Sequence, residues 1–222
     1  MSALIDNPLW RYRDALLSGL ATSLMLAATA ILLGLLVGTL LLTGARARQR
    51  TIRWLAVGFI EAWRNTPLFV QLIWVHFALP IATGVPLQPT TSGLIAMSCN
   101  AGAYFSETLR AGVEAVPRGQ WEAGRSLGLS TYALWRTVVG PQVVRLVLPG
   151  AVNMAISVFK GTTLLSILQV GEFLEVVNRV SNFTFRHVEI FSAALVAYLI
   201  PASALDALAR RLELRLAKGR AR

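Results

Sequence analysis

Two stretches of this chain contain no Asp, Glu, Lys or Arg: residues 15–45, 31 in a row, and residues 65–106, 42 in a row. One membrane-crossing helix needs about 20 consecutive apolar residues, so each stretch is long enough to cross a bilayer. Composition agrees. The 222 residues are 55% hydrophobic and 14% charged, with a mean hydropathy of +0.59, against about 45–50% and 25% in a soluble domain. An ordinary cytosolic enzyme is excluded, and an all-α, polytopic integral membrane protein is expected. The one cysteine, Cys99, lies inside an apolar stretch, so neither a disulfide framework nor a thiol-based metal site is expected.

The net charge of +10 would point to nucleic acid in a soluble chain, but here the positive residues cluster beside apolar runs. Arg46, Arg48, Arg50 and Arg53 follow the first run, and Arg210, Arg211, Arg215, Lys218, Arg220 and Arg222 crowd the end. Excess Lys and Arg marks cytoplasmic loops, which predicts the N-terminus outside, the C-terminus inside and no nucleic-acid partner. Ser18–Leu42 is longer than the apolar core of a signal peptide and is followed by basic residues, so it reads as a retained first span.

Five spans then satisfy the charge rule. Asn7–Leu17, with Trp10 and Tyr12, reads as an interfacial segment. Ser18–Leu42 is span one. Trp54–Leu79 is interrupted by Glu61, Arg64, Asn65 and Pro67, so its first part is expected at the cytoplasmic edge while Leu68–Leu79 crosses; Asn65 or Thr66 is expected to cap the restarted helix. Pro80, Gly84, Pro86 and Pro89 form an outer turn, and span three is Thr91–Ala111. Glu107–Arg145 is too charged to span and is expected to be a cytoplasmic loop. Span four runs from Pro141 or Val144 to Leu168, Gly171–Arg186 returns outside, and span five is Val188–Leu208. Residues 1–222 form a single domain, and no internal repeat is visible, which counts against inverted-repeat secondary transporters.

Within the cytoplasmic segment, Glu122, Ala123, Arg125 and Ser126 favour a short helix with an apolar line at Trp121 and Leu127. Gly128 then stops it, and Trp135 begins another helical stretch toward Pro141. A helix–Gly–helix elbow is a shape that docks into a partner, although an ordinary surface loop is the default for such a connection.

Polar residues also recur at helical spacing within the spans. Asn100, Tyr104 and Glu107 fall on one face of span three, and Asn153, Ser157 and Lys160 on one face of span four. Such residues face the bundle or a water-filled cavity. They either line a path, with Lys160 suited to a carboxylate, or hydrogen-bond between helices. Glu107 and Arg110 are spaced to pair at i, i+3. Glu172 and Glu175 are the candidate partners for Lys160. His76 reads as a packed or interhelical hydrogen-bonding residue, because no second ligand lies at metal spacing.

Glu122-Ala123-Gly124, three residues, Gly128, nine residues and Val138-Val139-Gly140-Pro141 resemble the EAA loop (EAA-x3-G-x9-I-x-L-P) of ABC importer permeases. Arg64-Asn-Thr-Pro-Leu-Phe-Val-Gln71, Tyr104-Phe-Ser-Glu-Thr-Leu-Arg110, Pro117-Arg-Gly-Gln-Trp-Glu122 and Pro141-Gln142 resemble the polar amino acid uptake branch, and the likeness spans Ser18–Leu212. It departs at Gly124, at Gly140 where the branch has Leu, and at Lys160-Gly161-Thr162-Thr163-Leu164, where the branch has Lys-Asp-Thr-Ser-Leu.

The resemblance implies a type I ABC importer permease fold in a bacterial inner membrane. It implies a translocation path including Asn100, Tyr104, Asn153, Ser157 and Lys160, and a coupling loop at 118–141 that presents Glu122, Ala123, Gly124, Leu127 and Gly128 to an ATPase. The implied partners are two ABC ATPase subunits, a second permease that is a copy or a paralogue, an extracytoplasmic amino-acid-binding protein and membrane lipid. No Gly-x-x-x-x-Gly-Lys-Ser/Thr loop is present, so this transport subunit is expected to bind no cofactor, with ATP and Mg on the partner. The alternatives are a permease for another small solute, an ion-coupled secondary transporter and a non-transporting scaffold. Arg64, Arg145 and Lys160 lean the reading toward an acidic or polar substrate.

Overall fold

The computed structural model describes residues 7–218, with side chains through residue 211. Among them every regular element is helical. These are α1 (Pro8–Arg11), α2 (Arg13–Ala45), α3 (Arg50–Arg64), α4 (Leu68–Thr83), α5 (Pro89–Glu114), α6 (Arg118–Ser126), α7 (Thr131–Leu168), α8 (Phe173–Thr184) and α9 (His187–Lys218). The side chains of Arg215 and Lys218, and all of Arg220 and Arg222, lie outside the described residues.

By length and apolar content α2, α7 and α9 each suffice to cross a membrane, and α3 with α4 forms a fourth segment bent by 112°. The bend falls at the division read at Pro67 and separates the amphipathic α3 from α4. At 26 residues, α5 is about 39 Å long, enough for a fifth crossing. It is less apolar because protein, not lipid, surrounds much of it. It packs against α2, α3, α4 and α7, and Ser92, Gly93, Ser98, Ser106 and Gly112 lie on its buried side.

Small residues set the closest helix pair. A Cβ on Gly34 would stand 2.8 Å from the Ala101 Cβ, and one on Gly38 would stand 2.9 Å from the Gly102 carbonyl oxygen. This Gly-x-x-x-Gly stripe lets the backbones of α2 and α5 approach, the usual device where lipid provides no hydrophobic drive for helix pairing. Around the contact lies the main core, with Leu26, Ala30, Leu72, Phe105, Phe159 and Leu165.

Two helices are locally widened. The π turns Trp74–Ala78 and Trp135–Val139 each end two residues before a proline, Pro80 and Pro141. Proline lacks the N–H and crowds the carbonyl four residues back, and an i→i+5 turn relieves both effects. Gly140 closes the second turn by donating its N–H to the Trp135 carbonyl, where a Cβ would meet that oxygen at 2.5 Å.

Several boundaries differ from those read in the sequence. The first crossing helix starts at Arg13, not Ser18, and α1 is capped by the Asn7 side chain, which accepts from the Leu9 N–H at 2.9 Å. The charged segment Glu107–Arg145 is mostly helix. Glu107, Arg110 and Glu114 ride on α5, and α7 already begins at Thr131, where the Ser130 hydroxyl accepts from the Ala133 N–H at 3.2 Å. Gly171–Arg186 is largely the helix α8, whose Phe173, Val177 and Val180 bury against α2 and α9. Charge counting missed it because its charged residues occupy only one face.

Candidate functional site

The break between α3 and α4 determines what α5 does. The last four carbonyls of a helix have no partner within it, and Pro67 brings no N–H to the turn. Each of the four is nonetheless satisfied. Glu61 O accepts from the Asn65 N–H at 3.0 Å, Ala62 O from the Thr66 hydroxyl at 2.8 Å, and Trp63 O from the Gln71 amide at 2.7 Å and the Asn100 amide at 3.3 Å. Arg64 O accepts from the Tyr104 hydroxyl at 3.2 Å. Asn65 and Thr66 therefore close α3 rather than cap α4, whose N-cap is Pro67 with no side-chain bond. The buried Gln71 also donates to Thr66 O and accepts from Asn100 at 2.9 Å. Sequence reading assigned it no role, although its position as a polar residue within Leu68–Leu79 was a visible signal.

Asn100 and Tyr104 reach these carbonyls from the wall of a pocket of about 300 Å³. Ser157 faces them from α7, and Leu68, Met97 and Met154 supply apolar surface. Asn153 and Lys160 do not enter this pocket. They line an open groove of about 610 Å³ between α7 and α9, with Tyr198, Ser203 and Asp206, and Ser157 is common to both spaces. The five residues expected on one path are thus divided between two cavities that share a serine. Ser157 itself donates back to Asn153 O at 3.1 Å.

Neither acid proposed as partner of Lys160 reaches it. Glu172 is fully buried at the N-cap of α8. Its Oε2 accepts from the Leu174 N–H at 2.9 Å, the Ser23 hydroxyl at 3.3 Å and the Tyr198 hydroxyl at 3.4 Å, and its Oε1 from the Glu175 N–H at 2.7 Å. Glu175 accepts from Gly171 N–H and pairs with Arg179. Among the described residues Lys160 forms no ion pair.

At the other end of α5 the expected Glu107–Arg110 pair is present at 2.8 Å and belongs to a ladder. Arg64 stands 3.7 Å from Glu107, Arg110 is 2.8 Å from Glu114, and Arg46 is 3.7 Å from Glu114. It ties the ends of α2 and α3 to α5 just before α6 begins. His76 bonds Ser92 at 2.9 Å, joining α4 to α5 as an interhelical residue.

The elbow after α6 is locked by backbone geometry. The Leu129 N–H donates to Gly124 O at 3.1 Å and the Gly128 N–H to Arg125 O at 2.9 Å, the paired bonds of a Schellman stop. That stop needs a left-handed residue at its turn, and Gly128 has φ +73°. Glu122, Ala123, Leu127 and Gly128 are exposed, Leu127 to 80%. Gly124 is buried because a Cβ there would meet Leu134 Cδ1 at 2.3 Å, so it seats α6 on α7 instead of joining the outer surface. Trp121 and Leu127 do not share a line: Trp121 packs edge-on to Trp135 at 5.4 Å while Leu127 points outward. The Gln142 amide donates to Gln120 Oε1 at 3.3 Å, a second tie between α6 and α7.

The family model described as "Binding-protein-dependent transport system inner membrane component" matches residues 30–218. The glutamine transport system permease protein GlnP of Escherichia coli (strain K12) is 32% identical over 211 residues, 95% of this chain and 96% of that protein. The L-cystine transport system permease protein TcyB of Bacillus subtilis (strain 168) is 34% identical over 169 residues, 76% and 70% of the two chains. A solved structure titled "Crystal structure of an amino acid ABC transporter with histidines" aligns with TM-score 0.85 and 29% identity over 92% of this chain and 95% of that one. With three helices long and apolar enough to cross a membrane, a fourth such segment where α3 and α4 are taken together, a locked elbow at 124–129 and this span of likeness, the chain belongs to the family of binding-protein-dependent transport system inner membrane components.

Proposed function

We propose that this chain is the permease subunit of an ATP-driven amino acid importer, moving its substrate through the pocket between α5 and α7 and coupling that movement to a separate ATPase through α6. The observation that carries the reading is the elbow. Glu122, Ala123 and Leu127 are exposed on a helix that Gly124 and Trp121 fix to α7 and that a Schellman stop ends. A rigid, outward-facing helix end transmits displacement, whereas a loose loop absorbs it. Glutamine and cystine in the relatives' names support an amino acid as substrate.

Asn100, Tyr104 and Ser157 form the polar wall of the path, while Asn153 and Lys160 line its second chamber. ATP and Mg belong to two ATPase subunits docked under α6. A second permease, a copy or a paralogue, completes the membrane domain, and an extracytoplasmic binding protein delivers substrate. In this reading the N-terminus is outside and the C-terminus is in the cytoplasm, on the ATPase side, and the arginine clusters support it.

The test is uptake and ATP hydrolysis by the complete complex in liposomes. Glu122→Lys reverses the charge offered to the ATPase, and Gly128→Pro forbids the positive φ of the stop. Both variants should insert normally and lose uptake together with substrate-stimulated hydrolysis. Wild-type uptake by both would make α6 a mere connector.

A further inference from the structure

The start of α3 carries two kinds of surface that no single medium accommodates. Arg48, Arg50 and Arg53 are exposed, and among the described residues none of them forms an ion pair. Their neighbour Arg46 stands 3.7 Å from Glu114, and the first turn of α3 holds no acid. Beside these arginines Trp54 is 65% exposed and Leu55 70%, with Ile52 and Val57 exposed as well. Ala56, Ile60 and Trp63, at i, i+4 and i+7, hold the opposite face of the helix against α2 and α5. Water would leave an indole and a leucine unburied, whereas hydrocarbon would strip three guanidinium groups of their hydration. The boundary between the two satisfies both, since tryptophan settles at headgroup depth and an arginine-bearing amphipathic helix lies in that plane.

We propose that Arg48, Arg50 and Arg53, with Trp54 and Leu55 as an apolar anchor, form a binding site for anionic phospholipid, and that this lipid steadies α3 and through it the pocket. The inference rests on the reading of this arginine cluster as cytoplasmic and of the pocket as the translocation path. Charge complementarity selects the occupant. A guanidinium offers two parallel N–H groups to a pair of phosphate oxygens, and these three have no carboxylate to satisfy them. A zwitterionic headgroup brings its own cation to the cluster, whereas a net-negative one such as phosphatidylglycerol brings only the missing charge. The acyl chains of the same lipid cover Trp54 and Leu55, which a free phosphate ion would leave bare. The other end of α3 reaches the pocket. Trp63 O accepts from the Asn100 amide and Arg64 O from the Tyr104 hydroxyl, and both donors line the 300 Å³ space. A lipid that fixes the first turn of this 15-residue helix therefore restrains the two carbonyls that those pocket residues satisfy.

The experiment measures phosphatidylglycerol retained by the purified permease–ATPase complex, by native mass spectrometry, and then glutamine binding to the same complex in phosphatidylcholine nanodiscs with and without phosphatidylglycerol. Each arginine beside an anionic membrane surface contributes about five-fold to the attraction, so Arg48→Gln, Arg50→Gln and Arg53→Gln combined should weaken retention about ten-fold or more. Arg48→Lys, Arg50→Lys and Arg53→Lys combined keep the charge and should keep most of the lipid. Arg11→Gln with Arg13→Gln, at the far end of α2, is the control and should change nothing. High salt should lower retention in the wild type, an effect that needs no variant to fold, and free inorganic phosphate should not displace the lipid. Phosphatidylglycerol should raise the glutamine affinity of wild type about five-fold and leave that of the triple Gln variant unchanged. Retention that survives the triple Gln variant and high salt, or that falls equally in the control, overturns the proposal, as does displacement by free phosphate. Loss of the ATPase from the triple Gln variant with lipid retention intact assigns the arginines to the ATPase instead and overturns it too. Retention lost while glutamine affinity stays equal in both lipids removes the link to the pocket alone. Glutamine binding absent from wild type in every lipid refutes the reading of the pocket and leaves the lipid result standing.

Discussion

The Tyr104 hydroxyl donates to the Arg64 carbonyl oxygen at 3.2 Å, while the guanidinium of the same arginine stands 5.7 Å from the Tyr104 ring centroid and 3.7 Å from Glu107. One residue at the end of α3 is thus held at its backbone and its side chain by a single face of α5. Because Tyr104 also walls the pocket, the pocket's shape and the bend of α3 on α4 are mechanically linked. A side chain that ends a helix here also presents polar surface to whatever occupies the cavity.

Gln71 is the centre of that link, and Gln71→Leu should show it. The change removes the donor to Trp63 O and Thr66 O and the acceptor of Asn100, and unsatisfied buried polar groups cost about 1–3 kcal/mol. A lower thermal midpoint of the purified complex is expected, together with weaker substrate binding. An unchanged midpoint would mean that water or another side chain replaces the amide.

The Gly-x-x-x-Gly contact predicts that Gly38→Leu separates α2 from α5, since even a Cβ at 38 would lie 2.8 Å from the Phe105 Cβ. Overpacking costs about 1–3 kcal/mol, so the protein should insert in the membrane and unfold in milder denaturant. Gly58→Ala is the control, because nothing lies within 4 Å of a Cβ there. Equal stability of the two variants would refute the close approach.

Glu172 accepts from four donors, two of them backbone N–H groups of α8. An amide in its place turns one acceptor into a donor facing donors. Glu172→Gln should therefore destabilise by about 1–2 kcal/mol, the scale of a lost helix cap, and Glu172→Leu by more. The reading is the denaturation midpoint, compared with Glu189→Gln on the surface. If the two Gln variants match, the buried cap contributes nothing measurable.

Topology is a further check. A reporter inserted at Gly84, which has φ +71° and open space around it, should be extracytoplasmic, and one fused after Arg222 should be cytoplasmic. Finding both on the same side of the membrane would exclude the five-crossing arrangement.

Much of the fold was legible because lipid imposes a simple rule: a charge-free run of sufficient length must be a helix across the bilayer. The charge-free runs, the proline at the α3–α4 break, the glycine after α6 and the arginine clusters each have a local cause, and each could be read without knowing what packs where. The π turns have a local cause too, in Pro80 and Pro141, but their geometry becomes visible only in the helix. The likeness at 64–71, 104–110 and 117–142 was equally plain, since motifs are patterns along one dimension.

What the chain alone left open was the pairing of side chains between segments distant in sequence. Helical spacing put Asn100 and Tyr104 on one face, yet only packing showed that both complete the carbonyls of a helix ending about forty residues earlier. Asn153 and Lys160 share a stripe with Ser157, but the approach of α9 assigns them to a different chamber. Glu172 looked like a charge on an outer turn until α2 and α9 closed over it. In each case the residue's own spacing is compatible with several surroundings, and the deciding energy comes from burying or satisfying a polar group against another helix. That energy is set by three-dimensional contact, so the tertiary structure alone decided which polar residues hold the bundle together and which were left to face the cavity.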